Sequence, residues 1–336
     1  MLTALAVAAV PAVAGAAPAE RGASDASLAE RFQAVQRGGI VRAANAVPVP
    51  CAGGPRAARC PGPRGAAADR GSRTGVSSSA VLRLPEGSRV SHARLYWGGT
   101  LRAGARKPAD AGGRVLLSAR DGRATEVRAD SRSRHPVSGK ARGYSAAADV
   151  TRLIRRGGAG RYTVAAPPAV GRSTTAVLRG WALVVAYENH REPLRHLMLW
   201  DGHAALGTPE LRRMWVWYEG LRIPADASGS LGIVAYGGDR GSGGESLAVR
   251  TGDRSFTRLH DAANPARDPL NATVTDHGRP VAGRIPASAV TTGLDADVFD
   301  LAPALRDGAR RLEVRFDGAE EQHLLGAFFL QTSARH

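Results

Sequence analysis

Short runs in which side chains of opposite character alternate, punctuated by glycine and proline, recur along the chain. Ala80, Leu82 and Leu84 alternate with Val81 and Arg83 before Pro85-Glu86-Gly87 turns the backbone. Ala93, Leu95 and Trp97 alternate with His92, Arg94 and Tyr96, and Leu312, Val314 and Phe316 with Arg311, Glu313 and Arg315. A period of two sends neighbouring side chains to opposite faces, so these segments predict strands with one buried and one solvated face. Trp181 to Tyr187, Leu197 to Trp200 and Leu324 to Leu330 are apolar at nearly every position and predict central strands covered on both sides. Helical periodicity is scarce: Val150 to Arg156 and Ala302 to Arg306 each predict a turn or two. Residues 20–30 read as a flexible leader, and the Gly/Pro/Arg-rich segment 52–75 as a loop. Many short strands between turn signals predict an all-β chain of sandwich or jelly-roll type.

The pattern repeats. Ala148-Asp149-Val150-Thr151, a Leu/Arg/Gly turn, and Arg161-Tyr162-Thr163-Val164 are echoed by Ala296-Asp297-Val298-Phe299, a similar turn, and Arg311-Leu312-Glu313-Val314. Upstream, Tyr96-Trp97-Gly98-Gly99 is echoed by Ala235-Tyr236-Gly237-Gly238. The offset is that of one β-sandwich. Two tandem related β-sandwich (jelly-roll-like) domains, 31–205 and 206–336, are therefore expected. In this alignment Asp149 and Asp297 are equivalent, each capping the short turn that follows it.

Composition supports a turn-rich fold, with 41 glycines and 20 prolines among 336 residues, and 43% apolar residues suffice for a core. The net charge is +16, yet only Lys107 and Lys140 are lysines. An arginine-, alanine- and glycine-rich chain of this kind points to a GC-rich coding bias more than to nucleic-acid recognition. Its charge still favours anionic wall polymers or phospholipid surfaces. Leu2 to Val13 is a short apolar run followed by Ala14-Gly15-Ala16 and Ala17-Pro18-Ala19, the pattern of a secretory signal over 1–19. The first basic residue is Arg21, so the charged start of such a signal would lie upstream of Met1. No later run is long and apolar enough for a transmembrane helix. The expected location is secreted, extracellular and wall-associated. There, Cys51 and Cys60 are expected to form a disulfide.

Six strings occur in order: ARLYWGG, YSAAADVTRLIRRGGAGRYTVA, GWALVVAYENHREPLRHLMLWDG, GIVAYGGDRGSGGESL, DAANPARDPLNATV and GLDADVFDL. Together they resemble the N-terminal globular module of large secreted actinobacterial surface proteins, which there precedes tandem immunoglobulin-like repeats. The resemblance runs from about Arg31 to Gln331. It implies export and a β-rich fold, and carries no catalytic residues to this chain.

Chemistry is sparse. Trp215-Val216-Trp217 on a strand would place two indoles on one face. Exposed, they would stack on sugar rings, with Tyr218 or Glu219 supplying polar contacts; otherwise they join the core, as buried aromatics commonly do. Trp97, Trp181 and Trp200 sit in stronger strand patterns and are expected in the core. The Gly-rich loop from Gly237 to Glu245 offers Asp239 and Glu245 as hard oxygen ligands suited to Ca2+, joined by Asp201, Asp295, Asp297 or Asp300; as a plain hairpin loop it would bind nothing. His190, His196 and His203 gather loosely around Asp201 without a zinc spacing. No nucleophile elbow or phosphate-binding glycine loop occurs. The expected function is a secreted, non-enzymatic surface-binding module for wall carbohydrate or another surface component. The alternatives are a carboxylate-dependent extracellular hydrolase on a jelly-roll and a structural spacer.

Overall fold

A computed structural model describes residues 28–47, 77–101, 111–119, 122–136, 142–167, 176–238, 240–241, 243–291, 293–319 and 322–335. Residues 1–19, Cys51, Cys60 and Asp239 lie outside the described residues, so the expected signal, disulfide and Asp239 ligand are not addressed by it. No described helix is long and apolar enough to cross a membrane.

The chain is all-β. Its first half contains β1 (Ala29–Ala46), β2 (Ser77–Leu82), β3 (Arg89–Leu101), β4 (Arg114–Ser118), β5 (Ala124–Arg128), β6 (Ser131–Pro136) and β7 (Arg142–Asp149). Helix α1 (Thr151–Gly157), β8 (Gly160–Ala165) and β9 (Ala176–Glu188) follow. The second half contains β10 (Leu194–Leu206), β11 (Arg213–Tyr218), β12 (Gly229–Tyr236), β13 (Ser246–Thr251) and β14 (Thr257–Arg258). It continues with β15 (Thr275–Asp276), β16 (Arg279–Pro280) and β17 (Leu294–Asp300). A 3-10 turn at Ala302–Ala304, β18 (Leu312–Asp317) and β19 (His323–Ser333) complete it. Helical turns are present in both places where they are predicted, α1 and the 3-10 turn.

Two four-stranded sheets, β2-β8-β4-β5 and β11-β18-β13-β14, flank a continuous sheet ordered β16-β15-β17-β12-β19-β10-β1-β9-β3-β7-β6. One core lies between the first small sheet and β3, β7 and β9, around Trp97, Trp181, Leu95 and Ile154. A second lies between the other small sheet and β10, β12 and β19, around Met214, Val216, Phe316 and Phe328. A third joins the back faces of the two halves of the long sheet, through Tyr96, Ala182, Val184, Leu199, Val234, Tyr236 and Phe329. Strands β9, β10 and β19 therefore face apolar neighbours on both sides, which is why their sequences are apolar at consecutive positions.

Strand order repeats between the halves. The order β9-β3-β7-β6 recurs as β19-β12-β17-β15, and β2-β8-β4-β5 recurs as β11-β18-β13-β14. The correspondence loosens at the edge, where β15 pairs with β17 in parallel but β6 with β7 antiparallel. Strand β1 belongs to both halves: Ala29 to Arg37 pair with β10, and Gly38 to Ala46 pair with β9. It begins inside the segment read as leader, because Ala29 is paired to Asp201. The expected division at 205/206 falls at the last residues of β10.

The repeat register needs one correction. Asp149 Oδ1 accepts from the Thr151 amide at 2.8 Å, as expected of a cap. Its counterpart is Asp300, whose Oδ1 accepts from the Ala302 amide at 2.9 Å. Asp297 caps nothing; it sits three residues earlier, inside the second half.

Candidate functional site

The open face of the sheet β11-β18-β13-β14 carries the chain's densest collection of ring and guanidinium groups among the described residues. In β11, Met214, Val216 and Tyr218 point into the core, so Trp215 and Trp217 point outward and are half-buried. Cross-strand pairing sets Trp215 opposite Arg315 and Trp217 opposite Glu313. Phe256, just before β14, meets Trp215 edge-on with ring centroids 5.4 Å apart. Arg315 lies between them, its Cζ 5.7 Å from the Trp215 ring and 4.5 Å from the Phe256 ring. Arg213 lies 5.9 Å from the Trp215 ring, Arg311 5.9 Å from Trp217, and Arg250 4.6 Å from Phe256.

Two carboxylates organise these cations. Glu313 pairs with Arg250 at 2.7 Å and Arg311 at 2.9 Å. Asp317 pairs with Arg213 at 2.5 Å and Arg315 at 3.0 Å, and accepts from Ser246 Oγ at 2.9 Å. Partial burial opposes ionisation of Asp317, but the Arg213 and Ser246 hydrogen bonds and the Arg315 charge outweigh it and hold its carboxyl below the usual range. Glu219 reaches Arg311 at 3.9 Å, at the end of the same face. Four guanidiniums share Glu313 and Asp317, so the face carries surplus positive charge and N–H donors beside aromatic rings. Such an arrangement can stack on a sugar ring and hydrogen-bond its acidic substituents. The expected core tryptophans, Trp97, Trp181 and Trp200, are buried.

The second expected site separates into unlike parts. Glu245, Asp295 and Asp297 are buried within the second half. Asp297 Oδ1 accepts from the Thr275 amide at 2.8 Å and the Thr275 hydroxyl at 2.6 Å. Burial raises its carboxyl to about 6 despite those bonds and the Arg42 charge. Burial raises Glu245 to about 7, with Asp268 beside it adding to the shift. Asp295 is pushed well above the usual range by burial and by Asp297. Asp201 is not part of this group. It is buried near β1 and β3, in ion pairs with Arg31 and with Arg94 Nε at 2.7 Å, because two guanidiniums and the Tyr96 hydroxyl, at 3.3 Å, meet it there. Asp300 is the turn cap described above. Asp268, supplied by the long β14–β15 connection, carried no signal in the sequence: its neighbour Glu245 lies across a gap that only folding closes.

The histidines do not form one cluster. His203 Nδ1 lies 2.5 Å from Ser145 Oγ, His196 Nε2 accepts from the Arg222 amide at 3.3 Å, and His190 is exposed on the β9–β10 turn. Burial drops His203 to about 4, so its ring is neutral at pH 7. Among the described residues no three His, Cys, Asp or Glu side chains are gathered tightly enough to hold an ion as they stand. Two shallow clefts beside α1 are lined by one carboxylate each, Asp149 in one and Glu86 in the other, and a third by none.

No family model matches the chain. No curated protein matches it either. Solved structures give only distant likenesses. A structure of Sulfolobus Turreted Icosahedral Virus is 9% identical with a TM-score of 0.23, covering 76% of this chain and 85% of that one. The ANXUR2 extracellular domain from Arabidopsis thaliana is 5% identical with a TM-score of 0.19, covering 77% and 84%. Quercetin 2,3-dioxygenase from Acinetobacter baumannii is 10% identical with a TM-score of 0.19, covering 94% and 88%. Scores this low carry no argument about fold or function.

Proposed function

We propose that this chain is a secreted, non-enzymatic surface module that docks an acidic wall carbohydrate on the Trp215–Trp217 face. The observation that carries the reading is that both indoles and Phe256 stand on the solvent side of a sheet, interleaved with arginines, instead of filling the core. Ring faces supply stacking, and guanidiniums supply charge-assisted hydrogen bonds to carboxylate or phosphate groups. The ion pairs to Glu313 and Asp317 hold the groups in place before binding, which lowers the ordering cost. The repeated strand order supports the companion reading that the module arose as two related β-sandwiches, only the second of which developed this face. In the first half the corresponding small sheet carries Ser77, Ser79 and Val81 on β2 where β11 carries Arg213, Trp215 and Trp217.

Affinity electrophoresis of the purified chain through gels containing an acidic or a neutral polysaccharide tests the proposal. Retardation in the acidic gel is expected. Trp215→Ala and Trp217→Ala should each weaken it by about tenfold, the scale of one lost stacking contact, with melting temperatures close to wild type. Equal mobility in all gels, or variants that bind like the wild type, would sink the idea.

A further inference from the structure

Beside the connection from β14 to β15, oxygens from three stretches of chain lie close together at the end of the second half. Asp295 is fully buried, and its Oδ2 has no hydrogen-bond partner. Its other oxygen accepts from the Thr273 amide at 3.2 Å. Glu245 is 2% exposed, and its Oε2 is equally unpartnered. Asp268 shows the same split: Oδ2 accepts from the Gly241 amide at 3.0 Å, while buried Oδ1 has no partner. Leu270 joins the three, because its amide donates to the Glu245 carboxylate and its carbonyl lies by Asp295. A Cβ on Gly238 would sit 2.0 Å from Asp295 Oδ2 and 2.4 Å from the Leu270 carbonyl oxygen. Glycine at 238 thus leaves open the space into which both oxygens point.

Asp295 Oδ2 has lost water here without gaining a donor, and Glu245 and Asp268 meet carboxyl to carboxyl, a contact satisfied only while one of them keeps a proton; all three are costly as bare anions. The nearby guanidiniums do not relieve it: Arg42 and Arg284 act on Asp297. A cation supplies what is missing. We infer that Glu245, Asp268, Asp295 and the Leu270 carbonyl bind one Ca2+ ion. All four ligands are hard oxygens from carboxylates and a carbonyl, with no thiolate or imidazole to favour zinc. Calcium accepts six to eight oxygens in a forgiving geometry, so bidentate carboxylates and water complete the shell. The side chains do not yet close on one point, so binding draws Glu245 and Asp268 toward Asp295. Smaller Mg2+, which demands near-octahedral geometry, fits such a set poorly.

Equilibrium dialysis of the full chain at neutral pH, with metal analysis and thermal melting in Ca2+ or EGTA, tests this. One ion per chain is expected, with a melting temperature raised by about 5 °C at Ca2+ roughly a hundredfold above Kd. Asp295→Asn and Glu245→Gln should weaken binding at least tenfold, whereas Trp215→Ala should leave it unchanged; that separates this inference from the carbohydrate proposal. If a variant fails to fold, wild-type stoichiometry and the EGTA shift decide alone. No bound ion at millimolar Ca2+, or an Asp295→Asn chain that melts above wild type with Ca2+ making no difference to either, would overturn the inference: the acids are then simply protonated.

Discussion

At His203 a single ring is held neutral by its surroundings. Burial lowers it from 6.5 to about 4, and the Ser145 hydroxyl lies within 2.5 Å of Nδ1. Between those two values the unfolded chain takes up a proton that the folded chain refuses. The stability contributed by the neutral ring is therefore present above about pH 6.5 and lost as pH falls toward 4. Comparison with a variant isolates the histidine. His203→Gln should melt below wild type at pH 7.5, and the gap should narrow or reverse at pH 4.5. Parallel melting curves across that range would contradict the assignment. Residues of this kind were only partly legible in the sequence. The indoles of Trp215 and Trp217 share a face by periodicity alone, but which face met solvent depended on Met214, Val216 and Tyr218 filling the core. The partners of Glu245 and His203 come from distant segments, so no local spacing announced them.

Among elements, β1 is the one the sequence hid best. Its apolar positions are interrupted by Gly38-Gly39, and Val35 is 55% exposed. In the structure those glycines mark where one strand passes from β10 to β9. Gly38 has φ of 151°, and a Cβ there would lie 1.9 Å from the Tyr187 carbonyl oxygen. Gly38→Ala should therefore cost about 1–3 kcal/mol, read as a lower urea midpoint with an unchanged slope; an unchanged midpoint would mean the crossing is not strained by a side chain. The central strands β9, β10 and β19 were legible because burial on both faces leaves a continuous apolar signature. The short strands β14, β15 and β16, two residues each, leave none.

On the scale of the whole molecule, the two halves are tied together by more than their shared strand. Their back faces form one apolar core, with Tyr236 against Gly98 and Leu294 against Gly180. Arg94, Tyr96 and Asp201 add a buried polar link, which also engages Arg31 of β1. A fragment ending after β9 would expose its side of this core and lack half the partners of β1. Calorimetry of the intact chain should show one cooperative transition, and the fragment should aggregate. Two separate transitions would show that the halves fold independently. The strand-turn-strand echoes in the sequence were out of register with the repeated strand order by three residues at Asp297; the back-to-back packing left no echo, because apolar runs do not say which apolar surface covers them.

The position of β1 also sets the order of events as the chain is made. It is the first described strand to be synthesised, yet Ala46 pairs with Gly180 and Ala29 with Asp201. Everything between must exist before β1 has anywhere to go. The slot between β9 and β10 can receive β1 only once both of those strands have been made. Folding is then expected to be slow, governed by these long loop closures, and the waiting strand is the segment that needs protection from wrong partners in the meantime.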